Sequence, residues 1–180
     1  MPLPTTGRPF IERTESVNLR IPFDAALRYK SEMGLVSGGN VAENAQSRPR
    51  LVLADDHPDI LVEVRQVLGH GFDVLCTVAG GKALVRAVRE LRPDAVITDL
   101  QMPELGGIEA GTQILRQGLC SAVIALTMHN EPQLVGKTLR AGIRGYVLKL
   151  DAGEELIPAI RAVLGGGRYL SRGVSENWRE

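Results

Sequence analysis

From Arg50 onward, short apolar runs rich in β-branched residues alternate with stretches whose apolar residues recur every three or four positions, and the alternation repeats five times. Residues 51–54 read as the first strand. Pro58 then opens a helix that carries Ile60, Leu61, Val64, Val67 and Leu68 on one face, until Gly69 and Gly71 stop it. Residues 72–78 form a second strand, and 83–91 a helix after Gly80-Gly81. The third strand starts at Ala95 and is followed by a helix over 108–117. A fourth strand over 122–126 closes on Thr127, with a helix over 131–141 behind it. The fifth, over 145–148, closes on Lys149 and leads to a last helix over 154–164. Alternating units of this length predict an α/β fold, a doubly wound parallel sheet of five strands with right-handed crossovers and helices on both faces. The strands are apolar almost throughout, as strands covered on both sides must be. Pro158 falls inside the last helix, where a missing donor and a ring clash predict a bend or a later start.

Before Arg50 the texture is different. Residues 1–49 scatter their apolar positions among Ser, Thr, Asn, Gly and Pro without a period, which predicts a mostly disordered N-terminal extension. One short helix is expected near 22–33, opened by Pro22 and closed by Gly34. The compact unit is therefore assigned to residues 50–170, and 171–180 to a C-terminal tail. With 180 residues and 44% of them hydrophobic, the chain can fill the core of one domain but hardly of two. Its 21 basic residues balance 21 acidic ones, which argues against a chain built to coat nucleic acid or an anionic membrane. Cys76 and Cys120 have no metal or redox spacing and read as buried thiols. No apolar run approaches a membrane span and no secretory leader is visible, so the expected location is the cytoplasm.

The chemistry gathers at the strand ends. Ala95-Val96-Ile97-Thr98 runs into Asp99, after which Pro103 and Gly106-Gly107 forbid further strand. Asp55-Asp56 follow the first strand, Thr127 closes the fourth and Lys149 the fifth. In a parallel sheet these ends share one edge, where ligands of open α/β sheets bind. Taken singly, Asp56 reads equally well as a helix cap, Thr127 as a turn hydroxyl and Lys149 as a surface charge. Taken together they describe a site. Three carboxylates at close range repel, and a hard, oxygen-seeking cation such as Mg2+ relieves that repulsion. Lys149 and Thr127 would suit a phosphoryl group on Asp99.

On these residues the chain resembles the response-regulator receiver domain, the CheY-like phosphoacceptor. The wording Asp55-Asp56-His57-Pro58, Leu126-Thr127-Met128-His129, residues 142–149 and Gly167-Arg168-Tyr169-Leu170-Ser171 further resembles the NarL/FixJ branch. The resemblance implies a flavodoxin-like strand order of 2-1-3-4-5, an order known for that fold and not read from this chain. It implies Asp99 as phosphoacceptor, Asp55 and Asp56 as the acidic pair holding Mg2+ together with Asp99 and the backbone carbonyl of Gln101, Lys149 as the conserved-type lysine, and Thr127 and Tyr146 as switch residues. Phosphorylation would draw Thr127 inward and let the Tyr146 ring turn from solvent toward the core. The implied role is signalling in a two-component phosphorelay and not turnover as an enzyme, with a sensor histidine kinase as partner and a homodimer through the last helix region. The branch usually carries a C-terminal helix-turn-helix, and only nine residues follow Ser171, so no direct DNA binding and no membrane association are expected. Two other readings stay open. One is a fragment of a NarL/FixJ-type DNA-binding regulator. The other is a magnesium-dependent phosphatase, although that chemistry wants a second acid where Gln101 stands.

Overall fold

The computed structural model describes residues 48–176. The N-terminal extension with its expected helix near 22–33, and residues 177–180, lie outside the described residues. The elements are β1 (Arg50–Ala54), α1 (Pro58–Leu68), β2 (Asp73–Val78), α2 (Gly81–Leu91), β3 (Ala95–Thr98), α3 (Gly107–Arg116), β4 (Ala122–Thr127), α4 (Pro132–Arg140), β5 (Gly145–Leu148), α5 (Ala152–Leu164), β6 (Tyr169–Leu170) and α6 (Arg172–Ser175). All strand pairs are parallel and the order is β2-β1-β3-β4-β5-β6. The central strands carry the core: Val52, Val96, Val123, Ile124 and Val147 have no exposed surface. α1 packs against α5, α2 packs against α3, and α5 also covers β4 and β5. Each helix offers one apolar stripe to this sheet, which is why the period of three to four and the period of the strands alternate in the sequence.

Two expectations need correction. Among the described residues the sheet has six strands, not five: Tyr169–Leu170 pairs with Gly145 and Tyr146 of β5, and its flanks are tied by Tyr169 N–H to the Arg144 carbonyl and Ser171 N–H to the Tyr146 carbonyl, both at 2.9 Å. Two residues are too few to show any alternation, so pattern reading misses them. Packing also continues past residue 170, where the tail was expected to begin, since Ser171 and Val174 are fully buried. The second correction concerns Pro158. The last helix starts at Ala152, earlier than expected and not later, and runs through the proline to Leu164. Pro158 and Glu154 both lie on its exposed side, so the carbonyl that the missing N–H leaves without a helical partner sits where water can serve it.

Candidate functional site at the carboxyl edge of the sheet

The parallel register brings the strand ends level. Ala54 lies opposite Thr98, Thr98 opposite Ala125, and Thr127 opposite Leu148. The next residues along β1, β3 and β5 are Asp55, Asp99 and Lys149. The ammonium of Lys149 sits 2.7 Å from Asp55 Oδ2 and 2.9 Å from Asp99 Oδ2, and the three side chains are only 7%, 4% and 6% exposed. A buried lysine that lacked partners would lose its proton. Burial here does pull the Lys149 ammonium down, but the carboxylate oxygens of Asp55 and Asp99 beside it, with their negative charges, more than reverse this and raise its pKa above the ordinary lysine value. The cation between two acids is thus a fixed feature of the site.

The second oxygen of Asp99 is also held. Oδ1 accepts the Leu100 N–H at 2.6 Å and the Gln101 N–H at 3.4 Å. Asp56 is exposed beside this pair, and the ring of His57 folds back over both acids. Asp55, Asp56, His57 and Asp99 each offer one ligand atom within 4.8 Å of all the others. Asp55 Oδ2, although close to the ammonium, receives no hydrogen bond of good direction and keeps a lone pair free. An oxygen-rich set with an unused buried lone pair fits a hard divalent cation.

Close packing of backbone fixes the loop after Asp99. A Cβ on Gly107, the first residue of α3, would overlap the Asp99 carbonyl oxygen, and one on Gly81, the first of α2, would overlap the Leu105 carbonyl. Two helix starts therefore clamp residues 99–107 from either side. By spacing alone, Gly106-Gly107 and Gly80-Gly81 are no more than strand and helix punctuation. That both helices open on glycine doublets was the available signal.

Thr127 and Tyr146 line the neighbouring wall. Thr127 is fully buried, and its Oγ1 accepts the His129 N–H at 3.3 Å. Tyr146 is fully buried too, and its hydroxyl donates to the His129 carbonyl at 2.9 Å. Burial, then the charges of Glu131 and Asp99, push this phenol well above the ordinary tyrosine value. The expected starting point, a Tyr146 ring in solvent, is not what the structure holds: the ring is already inside. The His129 ring lies 3.4 Å from Glu131 at the mouth of this wall. Gln101 is exposed next to the site, with its N–H toward Asp99.

A family model for the response regulator receiver domain matches residues 51–161 of the chain. This chain belongs to the response-regulator receiver family. The response regulator UvrY of Escherichia coli (strain K12) is 34% identical over 128 residues, a match that covers 70% of this chain and 59% of UvrY. The chain thus spans about 60% of the length of the curated relatives it matches. A LuxR-family two-component response regulator from Aurantimonas sp. SI85-9A1 superposes with a TM-score of 0.68 at 34% identity, over 72% of this chain and 94% of that one. The isolated REC domain of RcsB from Salmonella enterica serovar Typhimurium, solved with the phosphomimetic BeF3-, also gives 0.68, at 29% identity over 74% of this chain and all of that one. The family assignment bears out the CheY-like reading of the receiver and its place in two-component signalling. It gives no support to the expectation of no DNA binding, because RcsB itself has been solved as two dimers on two parallel DNAs. Among the described residues, no helix is long and apolar enough to cross a membrane.

Proposed function

We propose that Asp99 accepts a phosphoryl group from a sensor histidine kinase or a small acyl phosphate and passes the event on as a change of surface. The observation that carries this is the shared, buried ammonium of Lys149 between Asp55 and Asp99 at the sheet edge. In the transfer, a carboxylate oxygen of Asp99 attacks phosphorus. The bond from phosphorus to the donor's nitrogen or oxygen breaks, and its electron pair leaves with the donor. Lys149, already charged and oriented, follows the charge from the carboxylate to the new phosphoryl oxygens. Asp55, Asp56, Asp99 and the carbonyl of Gln101 would hold Mg2+. When bound, the ion offsets the negative charge that gathers as a phosphoryl dianion meets three carboxylates.

The Thr127 hydroxyl gains a phosphoryl oxygen as a partner, and the loop it shares with His129 and Tyr146 transmits the shift. The chain acts as a cytoplasmic signalling switch without turnover of a separate substrate. Tyr169–Leu170 and α5 form the side through which a homodimer would assemble. The relatives' DNA complexes make DNA a partner to test and not one to assume. A gel shift with duplex DNA at physiological salt decides it, and sequence-dependent retention would sink the expectation of none.

The test of the main proposal is labelling with radioactive acetyl phosphate. Wild-type protein should take up acid-stable label only with magnesium present, Asp99→Asn should take up none while remaining folded, and Lys149→Ala should label without the change in surface. Full labelling of Asp99→Asn, or of wild type in excess chelator, would show that the acceptor has been assigned wrongly.

A further inference from the structure

We propose that His57 is itself a metal ligand, which opens the acidic edge to borderline transition ions such as cobalt(II), nickel(II) and zinc beside hard magnesium. The inference rests on the metal reading of Asp55, Asp56 and Asp99 and adds a nitrogen donor to it.

The ring is positioned by its own backbone. His57 stands at the N-cap position of α1 in an extended conformation, with φ −99°, without a side-chain bond to the helix, and its N–H donates to Asp55 Oδ1 at 2.9 Å. This turns the side chain back over the acids. Nδ1 then stands 2.9 Å from Asp56 Oδ1 and 3.1 Å from Asp55 Oδ1. Nδ1 can donate one proton at most, so as a hydrogen-bond donor it serves only one of these carboxylate oxygens fully, and with a lone pair it serves neither. A cation can hold all three atoms. Ligand atoms ~2.1 Å from an ion and at right angles to one another lie ~3.0 Å apart, and the two observed separations bracket that value.

The donor type then decides which ions profit. Magnesium prefers oxygen and keeps its water, so an imidazole adds little to it. Cobalt, nickel and zinc bind imidazole well, in a rising order of affinity for mixed nitrogen and oxygen sites from cobalt to nickel. The His57 side chain is 65% exposed, so the nitrogen is reached from solvent without opening the fold. The pattern Asp-Asp-His at the end of a first strand is thus a mixed donor set folded onto one point, and His57 would make the site sensitive to which divalent ion is present.

The experiment titrates tag-free full-length chain with cobalt(II), read by its visible d–d absorption, and with magnesium, read by calorimetry. Wild type, His57→Ala and His57→Asn are compared, the last because asparagine is well tolerated at the N-cap position of a helix. His70→Ala and His129→Ala control for the other two histidines. Both His57 variants should bind cobalt at least about tenfold more weakly, the order lost when even an outer partner of a metal ligand is removed, while magnesium affinity stays within about twofold. The controls should match wild type. Equal cobalt affinity with and without His57, or an equal loss for both ions, overturns the His57 assignment alone. Wild-type protein that binds no magnesium overturns the metal reading beneath it as well.

Discussion

At the scale of single residues, the site owes its shape to positions where a side chain is missing as much as to those where one is present. Gly107 lets the first turn of α3 rest on the Asp99 backbone, and its N–H donates to the Leu100 carbonyl at 2.9 Å. Glu104, between the two clamped ends, has φ +66° and makes the loop turn at a non-glycine residue. Gly107→Ala should therefore cost about 1–3 kcal/mol, as overpacking against backbone does, and should impair labelling of Asp99 because the loop carrying the Leu100 and Gln101 N–H groups must shift. Gly153 is the contrast. A Cβ there meets nothing within 4 Å, and the residue is in the first turn of α5, so Gly153→Ala should stabilise by about 0.5–1 kcal/mol. Urea unfolding of the two variants distinguishes a glycine needed for close approach from one that is merely tolerated. Equal effects would remove the clamp from the account.

At the scale of elements, the C-terminal segment is tied in by one carboxylate. Glu155, buried in the first turn of α5, accepts the Tyr169 hydroxyl at 3.2 Å and the Arg172 N–H at 3.2 and 3.4 Å. The Arg172 Nε lies 3.7 Å from Glu155 Oε1. An acid at a helix start also complements the helix dipole. Ser171 closes the other side: its Oγ accepts the Leu148 N–H at 3.3 Å, one residue before Lys149. β6 and α6 are therefore joined to the strand that presents the site's ammonium. Removing the Glu155 carboxylate takes a charged acceptor away from two part-buried hydrogen bonds on two elements, so Glu155→Ala should cost about 1–3 kcal/mol, whereas Glu154→Ala, on the exposed side, should stay within about 0.5 kcal/mol. Thermal denaturation compares them, and similar losses for both would mean that the segment is not held through Glu155. None of this was legible in the sequence. A strand of two residues and a helix of four have no period, and a glutamate in a first helical turn is ordinarily a solvated one. The five longer strands and their helices were legible because each is long enough to display the spacing its burial imposes.

At the scale of the whole molecule, what could be read in advance was whatever the parallel topology forces. Asp55, Asp99, Thr127 and Lys149 had to meet once their strands were parallel, whatever the details of packing. The place of His57 over the acids and the inward ring of Tyr146 depend on backbone turns and on space in the core, which no periodicity encodes. The same burial sets how the fold responds to pH. Burial pushes the Cys76 thiol up to about 11, with only partial relief from Arg65, and raises Cys120 and Tyr146 above their ordinary values as well. Each of these groups is neutral when protonated and holds its proton more tightly in the fold than in the unfolded chain. As pH rises past the ordinary thiol value of 9.0, the unfolded chain ionises first and is favoured, so stability falls. Lys149 works in the same direction. Its raised pKa adds stability that is fully present below the ordinary lysine value of 10.5 and is lost as pH climbs through the folded value. On the acid side Glu131 is held below its ordinary value, first by its own backbone N–H and then by His129, but it is fully exposed and weighs little. The melting temperature of the protein should thus hold from pH 7 to about 9 and decline steadily from there to 11. Cys76→Ala should melt lower at neutral pH, because it leaves a small cavity, yet lose less between pH 9 and 11 because one of the ionising groups is gone. Calorimetric scans of both proteins at intervals across that range provide the comparison. A wild-type melting temperature that stays level to pH 10.5, or parallel declines in the two proteins, would mean that the thiol is not shielded as its burial in β2 requires.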